Sequence, residues 1–169
     1  MAFDLSKLSI LVVDDSRQMR ILLRDILKTM GINSIYEVSD GSTAIEMIKM
    51  QSVDMIIIDQ HMKPVTGIEF LHWLRQSPES PNPFTPVMMI TGDSTRAVTQ
   101  AARDAGVSAF VAKPMSVHNF INKLMFVLKD SRKFIKAKTY AGPDRRFRVD
   151  NGLAQAARRG SDKKKRVNA

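Results

Sequence analysis

Cysteine is absent from the chain, which excludes a disulfide framework and a thiolate metal centre alike. Histidine is scarce, and His61, His72 and His118 are scattered without the spacing of a metal site. Long hydrophobic runs are missing too. Before Asp14 and Asp15 the N-terminal segment holds only Ile10–Val13, shorter than a signal-peptide core and far shorter than a membrane span. The expected location is cytoplasmic, in keeping with the lack of cysteine. What remains, 44% hydrophobic residues over 169 positions, is enough for one domain with a full core.

The net charge of +9 suggests a nucleic-acid binder until it is located along the chain. Residues 1–130 hold 13 Lys and Arg against 14 Asp and Glu, and residues 131–169 hold 13 against only Asp144, Asp150 and Asp162. The body is nearly neutral and the basicity belongs to the tail.

The body alternates strand and helix signals five times. Apolar runs at Leu8–Val13, Ser34–Val38, Met55–Ile58, Val87–Ile90 and Val107–Ala112 read as strands. Between them lie helical stripes, such as Met19, Leu22, Leu23, Ile26, Leu27 and Met30, and the helix Gly67–Gln76. Ser16, Asp40, Ser94 and Ser116 are placed to cap helices, and Gly31 and Gly106 to end them. The last stripe, from Val117 through Phe120, Leu124 and Leu128, continues in period to Phe134 and Ile135, predicting a helix that runs on across 131–138. Five strand–helix units with short, right-handed crossovers predict an α/β, doubly wound parallel sheet. In such sheets function sits at the carboxyl ends of the strands.

Polar residues collect there: Asp14 and Asp15 after the first strand, Asp59 after the third, Thr91 after the fourth and Lys113 after the fifth. Singly, each reads as a cap, a turn or a solvated loop residue. Together, three converging carboxylates repel and require a cation, and all-oxygen ligands select a hard one, Mg2+. A lysine and a threonine at the same edge supply the charge and hydroxyl that a transferred phosphoryl group needs. A carboxylate is a competent acceptor for that group.

In these residues the chain resembles the receiver domains of response regulators over about residues 6–130. The acid pair Asp14-Asp15, Asp59, Thr91 and Lys113-Pro114 match the family's pattern, as do Gly67 eight residues past Asp59 and Phe110 three before Lys113. The resemblance implies the flavodoxin-like strand order 2-1-3-4-5, phosphorylation at Asp59 by a histidine kinase or phosphotransfer protein, and a cis Lys113–Pro114 bond. It also implies Mg2+ on Asp15, Asp59 and the His61 backbone carbonyl, with Asp14 acting mostly through water. Lys113 would pair with the phosphoryl group, and Thr91 would move toward it and let Phe110 turn inward. The output would be protein–protein signalling rather than catalysis. Two departures, Lys63 where the family usually has proline and His61 beside the acceptor, bear on the phosphoryl lifetime.

The tail, 139–169, is arginine-rich and has too few large apolar side chains to form a core, so a DNA-binding output domain is excluded and disorder is expected. Its segment Tyr140–Arg146 resembles the arginine-rich extension of CheY-like proteins that bind cyclic di-GMP and act on the flagellar motor. That resemblance implies nucleotide contacts from Tyr140, Asp144, Arg145, Arg146, Arg148, Arg158 and Arg159. Arginine forks onto guanine O6 and N7, and a carboxylate suits its N–H edge. Two other function classes compete with this reading. An aspartyl-phosphate phosphatase of the haloacid dehalogenase type would need a second Asp two residues past its nucleophile, where Ser16 stands past Asp14, and a cap domain. A tail binding nucleic acid or another polyanion non-specifically would show steep salt dependence.

Overall fold

Each strand of the sheet sends alternate side chains to opposite faces, and both faces are apolar. Ile10, Val12, Met55, Ile57, Met88 and Ile90 form one core, and Leu11, Val13, Ile56, Ile58, Val87 and Met89 the other. The computed structural model describes residues 4–130 and 132–145. The elements are β1 (Ser9–Val13), α1 (Arg17–Thr29), β2 (Ser34–Val38), α2 (Gly41–Met50), β3 (Met55–Asp59), α3 (Gly67–Gln76), β4 (Val87–Thr91), α4 (Arg96–Asp104), β5 (Ala109–Ala112) and α5 (Val117–Leu128). Two further strands follow, β6 (Phe134–Lys136) and β7 (Ala141–Pro143). The main sheet is parallel throughout, in the order β2-β1-β3-β4-β5. Leu23, Leu27, Phe120 and Leu124 of α1 and α5 cover one face. Ala44, Phe70, Leu71, Leu74 and Ala102 of α2, α3 and α4 cover the other.

Helix starts follow cap chemistry. Ser16, Asp40 and Ser116 accept the N–H groups of Met19, Thr43 and Asn119, and Thr66 and Glu69 close a reciprocal capping box on α3. On α4 the cap is Thr95, not Ser94: Thr95 accepts from Val98 while Asp93 accepts the Thr95 N–H, which moves the helix start one residue on. Gly31 and Gly106 end α1 and α4 with φ of +90° and +93°. The Lys63–Pro64 and Lys113–Pro114 peptide bonds are both cis.

The helical extension across 131–138 is overturned. Helix α5 stops at Leu128 with Lys129 as its cap, and Asp130 accepts the Arg132 N–H at 3.0 Å, a local turn that competes with helix. The chain then folds into an antiparallel hairpin pairing Phe134 with Pro143 and Lys136 with Ala141. Tertiary contacts decide this. Phe134 meets Phe84 edge-on at 5.6 Å and lies 4.8 Å from the guanidinium of Arg75. Arg75 is fully buried and donates to the carbonyls of Gly106, Pro83 and Thr85. Burial pushes its pKa down to about 9, so it stays charged at neutral pH. A Cβ at Gly106 would run into the Ala141 carbonyl, so glycine there serves close approach of the hairpin as well as the helix end.

Candidate functional site

At the carboxyl ends of β1 and β3, Asp14 and Asp59 are 2% and 5% exposed, while Asp15 faces solvent. One carboxylate oxygen from each of the three lies within 4.8 Å of the others. Lys113, just past β5, reaches back to Asp59 Oδ1 at 2.9 Å and Asp14 Oδ2 at 3.4 Å. The second oxygen of each buried carboxylate is also held: Asp59 Oδ2 accepts the His61 N–H at 3.0 Å, and Asp14 Oδ1 the Ser16 N–H at 2.8 Å. Thr91, buried at the end of β4, accepts the Asp93 N–H at Oγ1, which leaves its own proton available to donate. Phe110 is half-buried on β5, packed against the α2–α3–α4 core.

Gly67 explains how the loop after Asp59 closes. A Cβ there would meet the Asp59 carbonyl at 2.5 Å, so the start of α3 approaches the acceptor strand closely only with glycine. The Gln60 carbonyl accepts the Gly67 N–H, and its side chain the Ile68 N–H, which fixes the loop across that contact.

Burial raises the Asp14 pKa, with the charge of Asp59 adding to it, against the opposing pull of the Ser16 N–H and Lys113. For Lys113, burial works against the charge, but the hydrogen bond to Asp59 and the charges of Asp14 and Asp59 outweigh it and raise the pKa. Three carboxylates against one lysine leave a net negative crevice. Its hard oxygen donors fit Mg2+, the ion that receiver domains bind at such an acidic pocket.

The structure thus brings Asp14, Asp15, Asp59 and Lys113 into one site, with Thr91 at the adjoining strand end and His61 bound to Asp59 through its backbone. Of the expected tail residues, the described ones, Tyr140, Asp144 and Arg145, make their contacts elsewhere. Tyr140 donates its hydroxyl to the Pro143 carbonyl, and Arg145 stacks 4.2 Å from the Tyr140 ring centroid while pairing with Asp104 at 2.6 Å. Asp144 donates its N–H to the Lys133 carbonyl. Arg146, Arg148, Arg158 and Arg159 lie outside the described residues. Sequence reasoning missed Arg75 and Arg132, which hold the hairpin to the body. Arg132 donates to the Ser108 carbonyl and pairs with Asp130. The Asp130-x-Arg132 spacing after a helix end was the one available signal.

A family profile described as the response regulator receiver domain matches residues 10–125. Chemotaxis protein CheY-3 of Vibrio cholerae serotype O1 is 33% identical over 117 residues, which is 69% of this chain and 88% of that protein. Chemotaxis protein CheY of Pseudomonas aeruginosa is 31% identical over 69% of this chain and 93% of its own. The solved structure of the chemotaxis response regulator CheY4 of Vibrio cholerae superposes with a TM-score of 0.64 at 27% identity, over 71% of this chain and 98% of that one. The family match ends before the hairpin. Fold, site and relatives agree that the chain belongs to the response regulator receiver family and is a CheY-like, phosphorylation-dependent regulator.

Proposed function

We propose that Asp59 is the phosphoryl acceptor of a switch that catalyses only its own phosphorylation and dephosphorylation. The observation that carries this reading is the clamp on Asp59: Lys113 at 2.9 Å on one oxygen and the His61 N–H at 3.0 Å on the other. An Asp59 oxygen attacks the phosphorus of a phosphohistidine on a histidine kinase or phosphotransfer protein. A P–O bond forms, the P–N bond breaks, and the imidazole leaves with a proton. Later a water attacks the phosphorus, the bond to Asp59 breaks, and inorganic phosphate departs. Lys113 pairs with the phosphoryl oxygens, and Thr91 donates its free hydroxyl proton to one of them, a movement that Phe110 follows inward. Asp15, Asp59 and the His61 carbonyl would hold Mg2+, with Asp14 acting through water, and the bound ion would supply charge neutralisation for the phosphoryl oxygens. A small phosphodonor with Mg2+ should add one phosphoryl group to the protein and none to Asp59→Asn. Equal labelling of the two would end this assignment.

The output is contact with a downstream protein through α4, β5 and α5. The partner proposed is the flagellar motor, a reading in keeping with the chemotaxis names of two relatives. The arginine-rich tail adds a second input, cyclic di-GMP, read by Tyr140, Asp144, Arg145, Arg146, Arg148, Arg158 and Arg159. The stacked pair of Arg145 and Tyr140 supports this reading, since a guanidinium on a ring is a platform a guanine extends. Titration with cyclic di-GMP and a guanine-free dinucleotide separates it from a polyanion tail. A guanine reader loses binding in both Asp144→Asn and Arg146→Ala and ignores the other dinucleotide. A polyanion tail binds both ligands, tolerates Asp144→Asn and weakens steeply with salt.

A further inference from the structure

Helices α4 and α5, strand β5 and the C-terminal hairpin enclose a cavity of about 480 Å³, on the edge of the sheet. It meets the chain over Val107–Phe110, the approach to β5 and its first two residues, upstream of Lys113, and so is separate from the acidic crevice. Four cations line it: Arg103 of α4, Lys123 of α5, and Arg132 and Arg145 flanking the hairpin. Arg132 is paired with Asp130 and Arg145 with Asp104, whereas neither Arg103 nor Lys123 has an ion pair among the described residues. The wall therefore carries two positive charges in excess. Three rings, Phe110, Phe126 and Tyr140, complete it. Two of them already carry a guanidinium, Arg145 at 4.2 Å from the Tyr140 centroid and Arg132 at 5.5 Å from that of Phe126.

Rings and unpaired cations at one concave place of this size select a small ligand that combines a flat ring with negative charge. An extended peptide is the less suitable occupant. A strand added alongside β5 would begin pairing at the residue that leads into it, and the carbonyl of that residue, Ser108, is already taken by Arg132. We propose that this cavity is a second ligand site, for a nucleotide phosphate, with Arg103 and Lys123 holding the phosphate and the Phe110, Phe126 and Tyr140 rings stacking on the base. It shares Tyr140 with the cyclic di-GMP reading, but rests on described residues of the body and hairpin and needs neither the acceptor at Asp59 nor the arginines beyond 145.

Isothermal titration of the full chain at fixed salt provides the test, with 5′-GMP, guanosine and inorganic phosphate as probes. The expected result is 5′-GMP binding at least about tenfold tighter than either guanosine or phosphate, since ring and charge are held together. Arg103→Glu and Lys123→Glu, both at exposed helix positions, should each weaken it about tenfold or more, as a repelled phosphate requires. Arg158→Ala with Arg159→Ala should leave it unchanged. Binding of phosphate as tight as that of 5′-GMP, indifference to the two cavity variants, or loss of binding in the tail variant would each overturn the site. So would displacement of 5′-GMP by an acidic, phenylalanine-containing peptide at lower concentration than by any nucleotide.

Discussion

Asp14→Asn should make the metal-free protein more stable, although the substitution removes a charge that lies beside Lys113. Buried Asp59, within 4.8 Å, repels Asp14 by about 3.5 kcal/mol or more at an effective dielectric near 20. Lys113 at 3.4 Å attracts it by about 5 kcal/mol on the same footing. Lys113 thus offsets the Asp59 repulsion, the exposed Asp15 charge is screened by solvent, and burial, the largest effect on Asp14, tips the balance against its charge. Asparagine keeps the acceptor for the Ser16 N–H and drops the buried charge, so the melting temperature should rise by about 2–4 °C for each kcal/mol of burial cost relieved. The pH dependence has a definite sign. The folded-state pKa of Asp14 is raised, so its cost is fully present above that raised value and fades as pH falls through it. The advantage of the variant should therefore be largest near neutrality and shrink in acid. Mg2+ should reverse the order, because a cation at a hundred times its dissociation constant stabilises the parent by about 2.7 kcal/mol and the weaker-binding variant by less. Thermal melts with chelator and with Mg2+, at neutral and acid pH, measure all of this. An apo variant less stable than the parent, or an equal gain from Mg2+ in both, would refute the reasoning.

Arg75→Met should cost about 3 kcal/mol in urea unfolding, because the Gly106, Pro83 and Thr85 carbonyls lose a buried donor. It should also speed hydrogen exchange at Ala137 and Asp144, whose N–H groups are bonded inside the hairpin region. Gly67→Ala should cost about 1–3 kcal/mol by driving a methyl group into the Asp59 carbonyl, and should slow labelling by a small phosphodonor as the loop after the acceptor shifts. A Gly67→Ala protein with parental stability and labelling rate would show that this contact relaxes freely.

Much of the site was legible because its residues sit where apolar runs stop. An unpaired carboxylate is costly in the middle of a buried strand, so Asp14 and Asp59 mark strand ends, and a parallel sheet brings those ends to one edge. The strand order itself came from likeness to a known family, since periodicity does not state which strands pair. The hairpin was not legible. Phe134 and Ile135 continue the period of α5 as well as they fit a strand, and the choice is made by Arg75, more than fifty residues away. A lone arginine at the end of α3 reads as a solvated charge until Gly106, Pro83 and Thr85 turn their carbonyls toward it. The start of α4 was misplaced by one residue because Ser94 and Thr95 are equally good caps in sequence. Only Asp93, holding the Thr95 N–H, separates them.

The central claim is that one carboxylate, Asp59, carries the phosphoryl group. An acyl phosphate is reduced by borohydride to the alcohol, so brief phosphorylation with a small donor and Mg2+, then reduction and peptide mass spectrometry, reads out the acceptor directly. The account predicts homoserine at position 59, with positions 14 and 15 remaining aspartate. Homoserine at 14 or 15, or a phosphoryl group that resists reduction because it sits on a hydroxyl such as Thr91, would contradict it.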